Sequence, residues 1–464
     1  MSRTREILAV IGDALKGKEE DYTRVGIKRA IFLLAVPMVI EMFMESLFAV
    51  VDVFFVAKLG SNAIATVGLT ESVLTIVYSI GFGVSMAATA MVSRRIGEKK
   101  PEAASNVAAQ TLIIGLLLSF LISLVGIFFS EELLTMLGAD EEIVRTGSEF
   151  TRWMIGGNFV ILLLFLLNGV FRGAGNASLA MKALWISNGL NIVLDPIFIL
   201  GIGSFEGFGL VGAAYATNLG RGIGVLFQLY VLFRGSGIVR VTLAKLRPDK
   251  DVIKRLIEIS LGGTGQFLIS SASWIFLMKF MSNFGAKALA GYTVGIRVLI
   301  FTILPAWGMA NAAATLVGQN LGAKYPRRAE ISVWLTAQYN MLFLGFVSVI
   351  YFFLARNIIG IFTDDVEVLF HGAECLRFLS LGYIFFAYGM VMMQAFNGAG
   401  DTRTPTILNF IAFWMIQIPL SYLLAITFGV GPKGIYLGII ISEALLAIAA
   451  ITVFRRGHWK LKEV

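Results

Sequence analysis

Cysteine and histidine are all but missing from this sequence. Cys375 stands alone among 464 residues, which rules out an intramolecular disulfide and any thiolate metal cluster. His371 and His458 are too few for a histidine-bound metal. Charge is scarce as well: Asp, Glu, Lys and Arg make up 15% of the chain, against about a quarter in a typical soluble domain. With no paired histidines and no reactive thiol in its apolar stretches, the chain lacks the constellation an intramembrane enzyme needs. The expectation is no enzyme and no cofactor. No cleavable signal peptide is evident either.

What is present is apolar. Hydrophobic residues make up 57% of the chain, and the mean hydropathy is +0.81. Runs of roughly twenty apolar residues recur from Ile31 to Ile451. Each is long enough to cross a hydrocarbon core of about 30 Å. Lipid offers no hydrogen bonds, so spanning segments must be helices or closed barrels. The runs lack the alternation of barrel strands, which leaves helices. Twelve spans are expected, near 30–57, 64–92, 107–129, 144–170, 179–201, 209–233, 255–283, 289–318, 331–355, 371–396, 405–428 and 433–454. Residues 1–28 are mixed and charged. Ile7, Val10, Ile11 and Leu15 at helical spacing suggest a cytoplasmic or interfacial helix there.

A net charge of +8 would suggest nucleic acid in a soluble protein. Here the basic residues gather in alternate loops. One set holds Arg94, Arg95, Lys99 and Lys100, then Arg172 and Lys182, then Arg240, Lys245, Arg247 and Lys250, then Lys324, Arg327 and Arg328. Both chain ends join this set. The opposite set holds Glu131, Glu132, Asp140, Glu141 and Glu142, then Asp364, Asp365 and Glu367. Positive loops stay inside, so both termini are expected in the cytoplasm of a cell (inner) membrane protein. Lipid, not nucleic acid, is the expected partner.

The sequence also repeats itself. Gly97, Lys99 and Pro101 in S-R-R-I-G-E-K-K-P-E-A-A match Gly322, Lys324 and Pro326 in G-Q-N-L-G-A-K-Y-P-R-R-A, 225 residues later. At the same offset F-R-G-A-G-N from Phe171 meets F-N-G-A-G-D from Phe396. Gly60 meets Gly285, Ala63 meets Ala288, and Gly209 meets Gly434. The expected fold is therefore all-α and integral to the membrane, with twelve helices in two pseudo-symmetric six-helix bundles. The expected parts are an amino-terminal segment 1–28, a first lobe 29–233, a basic linker 234–252, a second lobe 253–455 and a tail 456–464. An even number of spans per half puts the pseudo-twofold axis along the membrane normal, with cargo between the lobes.

Charge within a membrane is expensive and points to function by default. Span one holds Glu41, Glu45 and Asp52. At about 100° per residue they form one stripe. Glu41 lies twelve residues beyond Arg29, about 18 Å along a helix and near the bilayer midplane. There it is expected to carry a proton or meet cationic cargo. Arg221 in span six is the nearest expected counter-charge. The plainer alternative is acids paired at a helix interface. Span five reads N-G-L-N-I-V-L-D-P and puts Asn188, Asn191 and Asp195 on one face. Thr217 and Ala213 in span six offer a hydroxyl and a carbonyl. These oxygens suit a hard cation such as Na⁺, or a proton. Asn168 lies one turn from Arg172, towards the cytoplasmic end. Pro37 and Pro196 each free a carbonyl one turn back and are expected bending points. In the second half the offset turns Asp52 into Leu277 and Glu41 into Gln266, and Glu443 follows Ser442, the offset partner of Thr217. Coupling is therefore expected in the first lobe. Glu41, Glu45, Gln266, Trp274, Trp307, Met309 and Glu443 are the expected cavity residues.

The sequence resembles the multidrug and toxic compound extrusion family in its prokaryotic branch with a first-lobe cation site. The resemblance rests on Pro37 to Asp52 as P-x14-D, N-G-V-F-R-G-A-G-N from Asn168, N-I-V-L-D-P from Asn191 and G-A-A-Y-A-T from Gly212, and spans Val25 to Arg455. It implies two bundles around a V-shaped cleft, alternating access, and export of bulky, often cationic lipophilic compounds in exchange for H⁺ or Na⁺ by a monomer. It places the coupling site at Asp52, Asn168, Asn191, Asp195, Ala213 and Thr217, with Na⁺ the alternative to H⁺ at Asp52, Asn191, Asp195, Ala213 and Thr217. Glu41 departs from the relatives, where an uncharged residue is usual. The rival reading is a flippase for lipid-linked oligosaccharides of the same superfamily, which would line its cavity with basic residues.

Overall fold

The structure, a computed structural model, describes residues 3–18, 20–235 and 237–464. Met1, Ser2 and Glu19 of the expected amino-terminal segment and Ser236 of the expected linker lie outside them, as does the side chain of Ile7.

The helices follow in order: α1 (Arg3–Lys16), α2 (Ile27–Val56), α3 (Ser61–Gly97), α4 (Pro101–Phe128), α5 (Ser130–Met136), α6 (Glu141–Gly156), α7 (Asn158–Gly173), α8 (Ala177–Leu200) and α9 (Leu210–Arg234). The second half holds α10 (Lys250–Ser282), α11 (Ala286–Gly322), α12 (Pro326–Ile359), α13 (Val366–Leu381), α14 (Tyr383–Gly398), α15 (Arg403–Asn409), α16 (Ile418–Tyr422) and α17 (Pro432–Arg456). The expected span near 405–428 is α15 and α16 with two π-helical turns, Phe410–Gln417 and Leu423–Thr427, set around Pro419. Strands β1 (Gly201–Ile202) and β2 (Phe205–Glu206) form a small antiparallel hairpin.

Local chemistry sets the starts. Asp140 accepts from the Ile143 amide at 2.8 Å, Asn176 from Leu179 at 3.3 Å and Asp249 from Val252 at 3.3 Å, capping α6, α8 and α10. Pro101, Pro326 and Pro432 open α4, α12 and α17, where a missing amide costs nothing.

Among the described residues nine helices are long and apolar enough to cross a membrane, or ten if the bent pair α13 and α14 counts as one span. The other two expected spans, α9 and α10, are 25 and 33 residues long and carry polar faces that include Thr217, Asn218 and Arg221, and Gln266 and Ser273. Two expected spans are broken at glycine: α6 meets α7 at Gly157, and α13 meets α14 at Gly382 with a 56° bend. The positions are 225 apart. At the first break Asn218 Nδ2 donates to the carbonyl of Trp153 at 2.9 Å.

The repeat is written in the backbone. Lys99 and Lys324 have φ of 61° and 63°, and Gly175 and Gly400 have 89° and 84°. The register then slips. The glycine capping α9 is Gly209 and the glycine capping α17 is Gly431, so Leu210 and Pro432 correspond at an offset of 222. The match of Gly209 to Gly434 is therefore corrected. The first-half hairpin is the longer connection, and the second half makes the same turn with fewer residues. Thr217 pairs with Ile439 rather than Ser442, and Glu443 stands in the place of Arg221.

The halves meet most closely at the end bearing the basic loops. A Cβ on Gly97 would lie 2.0 Å from the Gln319 carbonyl oxygen, and one on Gly322 2.3 Å from that of Arg94. Gly308 of α11 packs as tightly on the Met38 carbonyl, one residue after Pro37. Thr315 Oγ1 donates to the Arg172 carbonyl at 3.1 Å, and Gln319 Nε2 to that of Gly173 at 3.1 Å. The chain ends cover this seam. Lys99 pairs with Asp21 at 2.7 Å, Arg94 donates to the Lys462 carbonyl, and Lys462 pairs with Asp401 at 3.4 Å. At the other end, which bears the acidic loops, α2, α3 and α9 of the first half and α10 and α11 of the second enclose a cavity.

Candidate functional site

A cavity of about 270 Å³ lies between the halves on the acidic-loop side. Glu45, Phe48 and Asp52 of α2, Glu71 and Tyr78 of α3, and Ala213, Thr217 and Arg221 of α9 form its first-half wall. Phe267 of α10 and Leu304 and Trp307 of α11 face them. Helical repeat explains each stripe: Glu71, Tyr78 and Phe82 sit at i, i+7 and i+11, and return to nearly one face. Phe82 stacks on Phe267 with centroids 4.9 Å apart and touches Trp307 at 5.1 Å, making an aromatic floor. Beneath it lies a chamber of about 30 Å³ lined in part by Ser85, Thr89, Arg172, Asn311, Gln394 and Asn397.

The expected acid stripe is present, and each acid has different company. Asp52 lines the cavity. Glu45 Oε1 is 3.3 Å from Arg221 Nη2, and Glu45 Oε2 accepts from Asn188 Nδ2 at 2.8 Å. Glu41 is fully buried. Its Oε1 accepts from Asn168 Nδ2 at 3.1 Å and pairs with Arg172 Nη1 at 3.4 Å. Arg221 is a counter-charge of the stripe, through Glu45, while Glu41, four residues deeper, pairs with Arg172. One expectation is corrected: Arg172 is not a loop cation but a buried side chain of α7. A carboxylate removed from water demands a counter-charge, and the last turn of α7 carries one into the sealed end.

The expected coupling residues separate into two groups. Asn191, Asp195 and Thr217 come together between α8 and α9, all buried. Of the two orientations of the Asn191 amide, one satisfies every neighbour: Nδ2 donates to Asp195 Oδ2 at 2.8 Å, and Oδ1 accepts from the Thr217 amide at 3.0 Å and hydroxyl at 3.1 Å. Thr217, the member of this group that reaches the cavity, lies on the same wall as Asp52. Ala213 lies one turn before Thr217 on the cavity wall. Asn168 is not brought to this group. It belongs to Glu41, and its Oδ1 accepts from Gln228 Nε2 at 2.6 Å.

Of the expected cavity residues, Glu45 and Trp307 line the space. Gln266 instead fastens α10 to α14, with Nε2 donating to Asn397 Oδ1 at 3.0 Å and to the Thr402 carbonyl at 3.1 Å. Trp274 packs in the second-half core, and Met309 packs beneath α2. Glu41 and Glu443 also lie off the lining. α2 and α8 run unbroken through Pro37 and Pro196. Sequence reasoning missed Glu71, although it obeys the same rule as the stripe: an acid ten residues inside an apolar span.

Among the described residues no three acidic, histidine or cysteine side chains converge as a metal cluster would require. A cation here would be held by one carboxylate with amide, hydroxyl and backbone oxygens.

The sequence model of the MatE family matches the chain twice, over residues 37–197 and 264–423. The chain belongs to the MatE family. Two matches within one chain also fit the duplication. Among curated MatE relatives, the chain is 25% identical to the "Probable multidrug resistance protein NorM" of Thermotoga maritima, over 94% of each. It is 24% identical to the "Multidrug export protein MepA" of Staphylococcus aureus, over 92% of this chain and 93% of that one. A solved structure described as the "outward-facing conformation of a multidrug resistance MATE family transporter of the MOP superfamily" superposes with a TM-score of 0.91. It is 29% identical over 96% of this chain and 99% of that one. The fold is that of these membrane transporters, and a MatE protein is not an enzyme.

Proposed function

We propose that this MatE protein exports bulky lipophilic cations in exchange for protons by alternating access. The observation that carries the reading is the buried group of Asp195, Asn191 and Thr217 beside the cavity acid Asp52. A carboxylate held by an amide and a hydroxyl can take up and release a proton, and its occupancy can be felt in the cavity through Asp52. A proton needs only one carboxylate with hydrogen-bonding neighbours, which Asp195 has in Asn191 and Thr217, and this supports H⁺ ahead of Na⁺. The relatives named for multidrug resistance and export support drugs as cargo.

In this reading the lobes are 29–233 and 253–455, joined by the linker 234–252, and the protein works as a monomer. Basic loops and both termini face the cytoplasm of the cell membrane, so the seam is the inner seal and the cavity opens outward. Pro37, beside the Gly308 contact, and Pro196 are the bending points. The flippase reading is disfavoured by the wall itself: Glu45, Asp52 and Glu71 outnumber Arg221, which repels a pyrophosphate.

The test is efflux of a cationic dye from proteoliposomes under a proton gradient alone and a sodium gradient alone. Proton-driven export that Asp52→Asn and Asp195→Asn each abolish, with the protein still folded, is expected. Export driven by sodium alone would transfer the coupling to Na⁺. Wild-type export by both variants would move coupling out of the first lobe.

A further inference from the structure

Three cations gather at the basic-loop end, where the start of α2 in the first half meets the start of α12 in the second. Lys324, Arg327 and Arg328 line a groove of about 510 Å³ there, together with Ile27, Tyr325 and Ile331. No acid lines it. Lys324 and Arg327 are exposed, and neither side chain has a hydrogen-bond or ion-pair partner among the described residues. Arg328 Nη2 donates to the carbonyls of Tyr22, at 3.1 Å, and Val25, which fix the side chain without cancelling its charge. The acids of the neighbouring segments are already engaged: Asp21 with Lys99 at 2.7 Å, Glu20 with Arg29 at 3.0 Å, and Glu330 with Lys460 at 2.7 Å.

Like charges in one groove repel, and two of these stand in the first turn of α12, which holds no acid and whose own field disfavours a cation. A phosphate group relieves all three charges at once. Guanidinium groups meet its oxygens through paired N–H donors, and a lysine meets them as a point charge. The apolar part of the groove says what the phosphate is attached to. Tyr325 is 51% exposed and Ile331 41%. Tyrosine is favoured at the headgroup level of a bilayer. Towards the middle of the span, Leu335 follows Ile331 one turn on, and Phe32 of α2 meets Tyr339 of α12 with ring centroids 5.3 Å apart. The exposed Ile331 and Phe32 give an acyl chain an apolar track leading away from the cations.

We propose that this groove binds an anionic phospholipid, whose phosphate meets Lys324, Arg327 and Arg328 and whose acyl chain lies along Ile331 and Phe32. Basic pockets between spanning helices are where such headgroups are held. A zwitterionic phospholipid fits less well, because its own ammonium is repelled by the three cations. The bound lipid bridges the halves, since Ile27 and Phe32 belong to the first and the cations to the second. Neither cargo nor coupling ion enters this inference, so it goes beyond the export reading and does not depend on it.

The experiment compares the full chain in nanodiscs of phosphatidylcholine alone and of phosphatidylcholine with phosphatidylglycerol added, at one pH. Hydrogen exchange of residues 324–331 is expected to slow several-fold when the anionic lipid is present, while that of the hairpin of β1 and β2 stays the same. Lys324→Asn/Arg327→Gln should erase the difference. Asparagine suits the φ of 63° at position 324, and an unchanged hairpin shows that the variant is folded. Arg240→Gln/Arg247→Gln removes the same charge from exposed linker positions and should keep the difference. Inorganic phosphate added to the phosphatidylcholine discs should have no effect. No slowing by phosphatidylglycerol in wild type, or slowing that survives Lys324→Asn/Arg327→Gln, would overturn the site. So would an equal loss in the linker variant, which would reduce the effect to net charge. Inorganic phosphate that slows exchange as well as the lipid does would make the groove a site for the free anion and overturn the lipid assignment.

Discussion

Arg172 Nη1 and Glu41 Oε1 are 3.4 Å apart at the sealed end of the protein, with side chains 8% and 0% exposed. Neither charge has ready access to water, so each depends on the other. Removing one partner of a buried pair costs about 3–5 kcal/mol, whereas removing both is often nearly neutral. Arg172→Met should therefore lower the thermal midpoint in detergent sharply. Glu41→Gln should lower it less, because an amide can still accept from Asn168. The double variant should recover most of the loss of Arg172→Met. Equal midpoints for wild type and Arg172→Met would show that the pair does not hold the seal.

The glycine seam yields a steric prediction. A side chain on Gly97 meets the Gln319 carbonyl at 2.0 Å, and backbone on both sides leaves little room to yield. Gly97→Val should push the halves apart at the basic-loop end. With Cys375→Ser as background, a cysteine replacing Thr89 in the small chamber should react several-fold faster with a polar thiol reagent once Gly97→Val is added. Gly345→Val is the control, since nothing lies within 4 Å of a Cβ there. Equal labelling rates in the two would remove the seam from the gate.

Acid should loosen the amino-terminal clasp. Burial pushes the Asp21 carboxyl up, but hydrogen bonds from Lys99 and Thr23 outweigh it and hold the group below its ordinary value. A depressed folded value means the clasp contributes fully above the ordinary carboxyl pKa of about 3.9. The contribution is lost as pH falls through the lowered value. Protection of residues 20–25, their hydrogen exchange relative to the intrinsic rate at the same pH, should be high at neutral pH and fall below about pH 4. In Asp21→Asn it should be low throughout. Protection independent of pH in wild type would exclude the clasp.

Much of this fold was legible because lipid leaves the chain few choices. Apolar runs located the helices, and the 225-residue offset located the two halves. Asn191 and Asp195 lie four apart, so their meeting on one face was readable, as was the use of Thr217. What escaped depends on depth and on neighbours from other helices. Arg172 looked like a loop cation because the chain turns soon after it, and nothing local reveals that α7 ends inside the protein. Gly209 matched Gly434 because the chain holds 49 glycines. Only the backbone shows that a hairpin shifts the register to 222. Gln266 and Trp274 were drawn to the cavity by residue type, whereas hydrogen bonding and core packing claim them.

The seam between Gly97 and Gly322 also bears on how readily the protein can change state. Where Gly97 and Gly322 meet it joins backbone to backbone, so parting that contact uncovers little apolar side chain, whereas Met38 and Leu316 nearby belong to one apolar cluster. The hydrogen bonds that cross it, from Thr315 and Gln319, end on carbonyls that water can serve once the cleft opens. That glycine contact is tight in shape, and the hydrogen bonds that cross it are few. Moving a two-state balance from 1:99 to 99:1 takes about 5.5 kcal/mol, or roughly a ten-thousandfold difference in ligand affinity between the states. In the alternating-access reading, the glycine contact is the part of the closure that can open without unpacking a side chain, and Leu34, Met38 and Leu316 are the part that cannot.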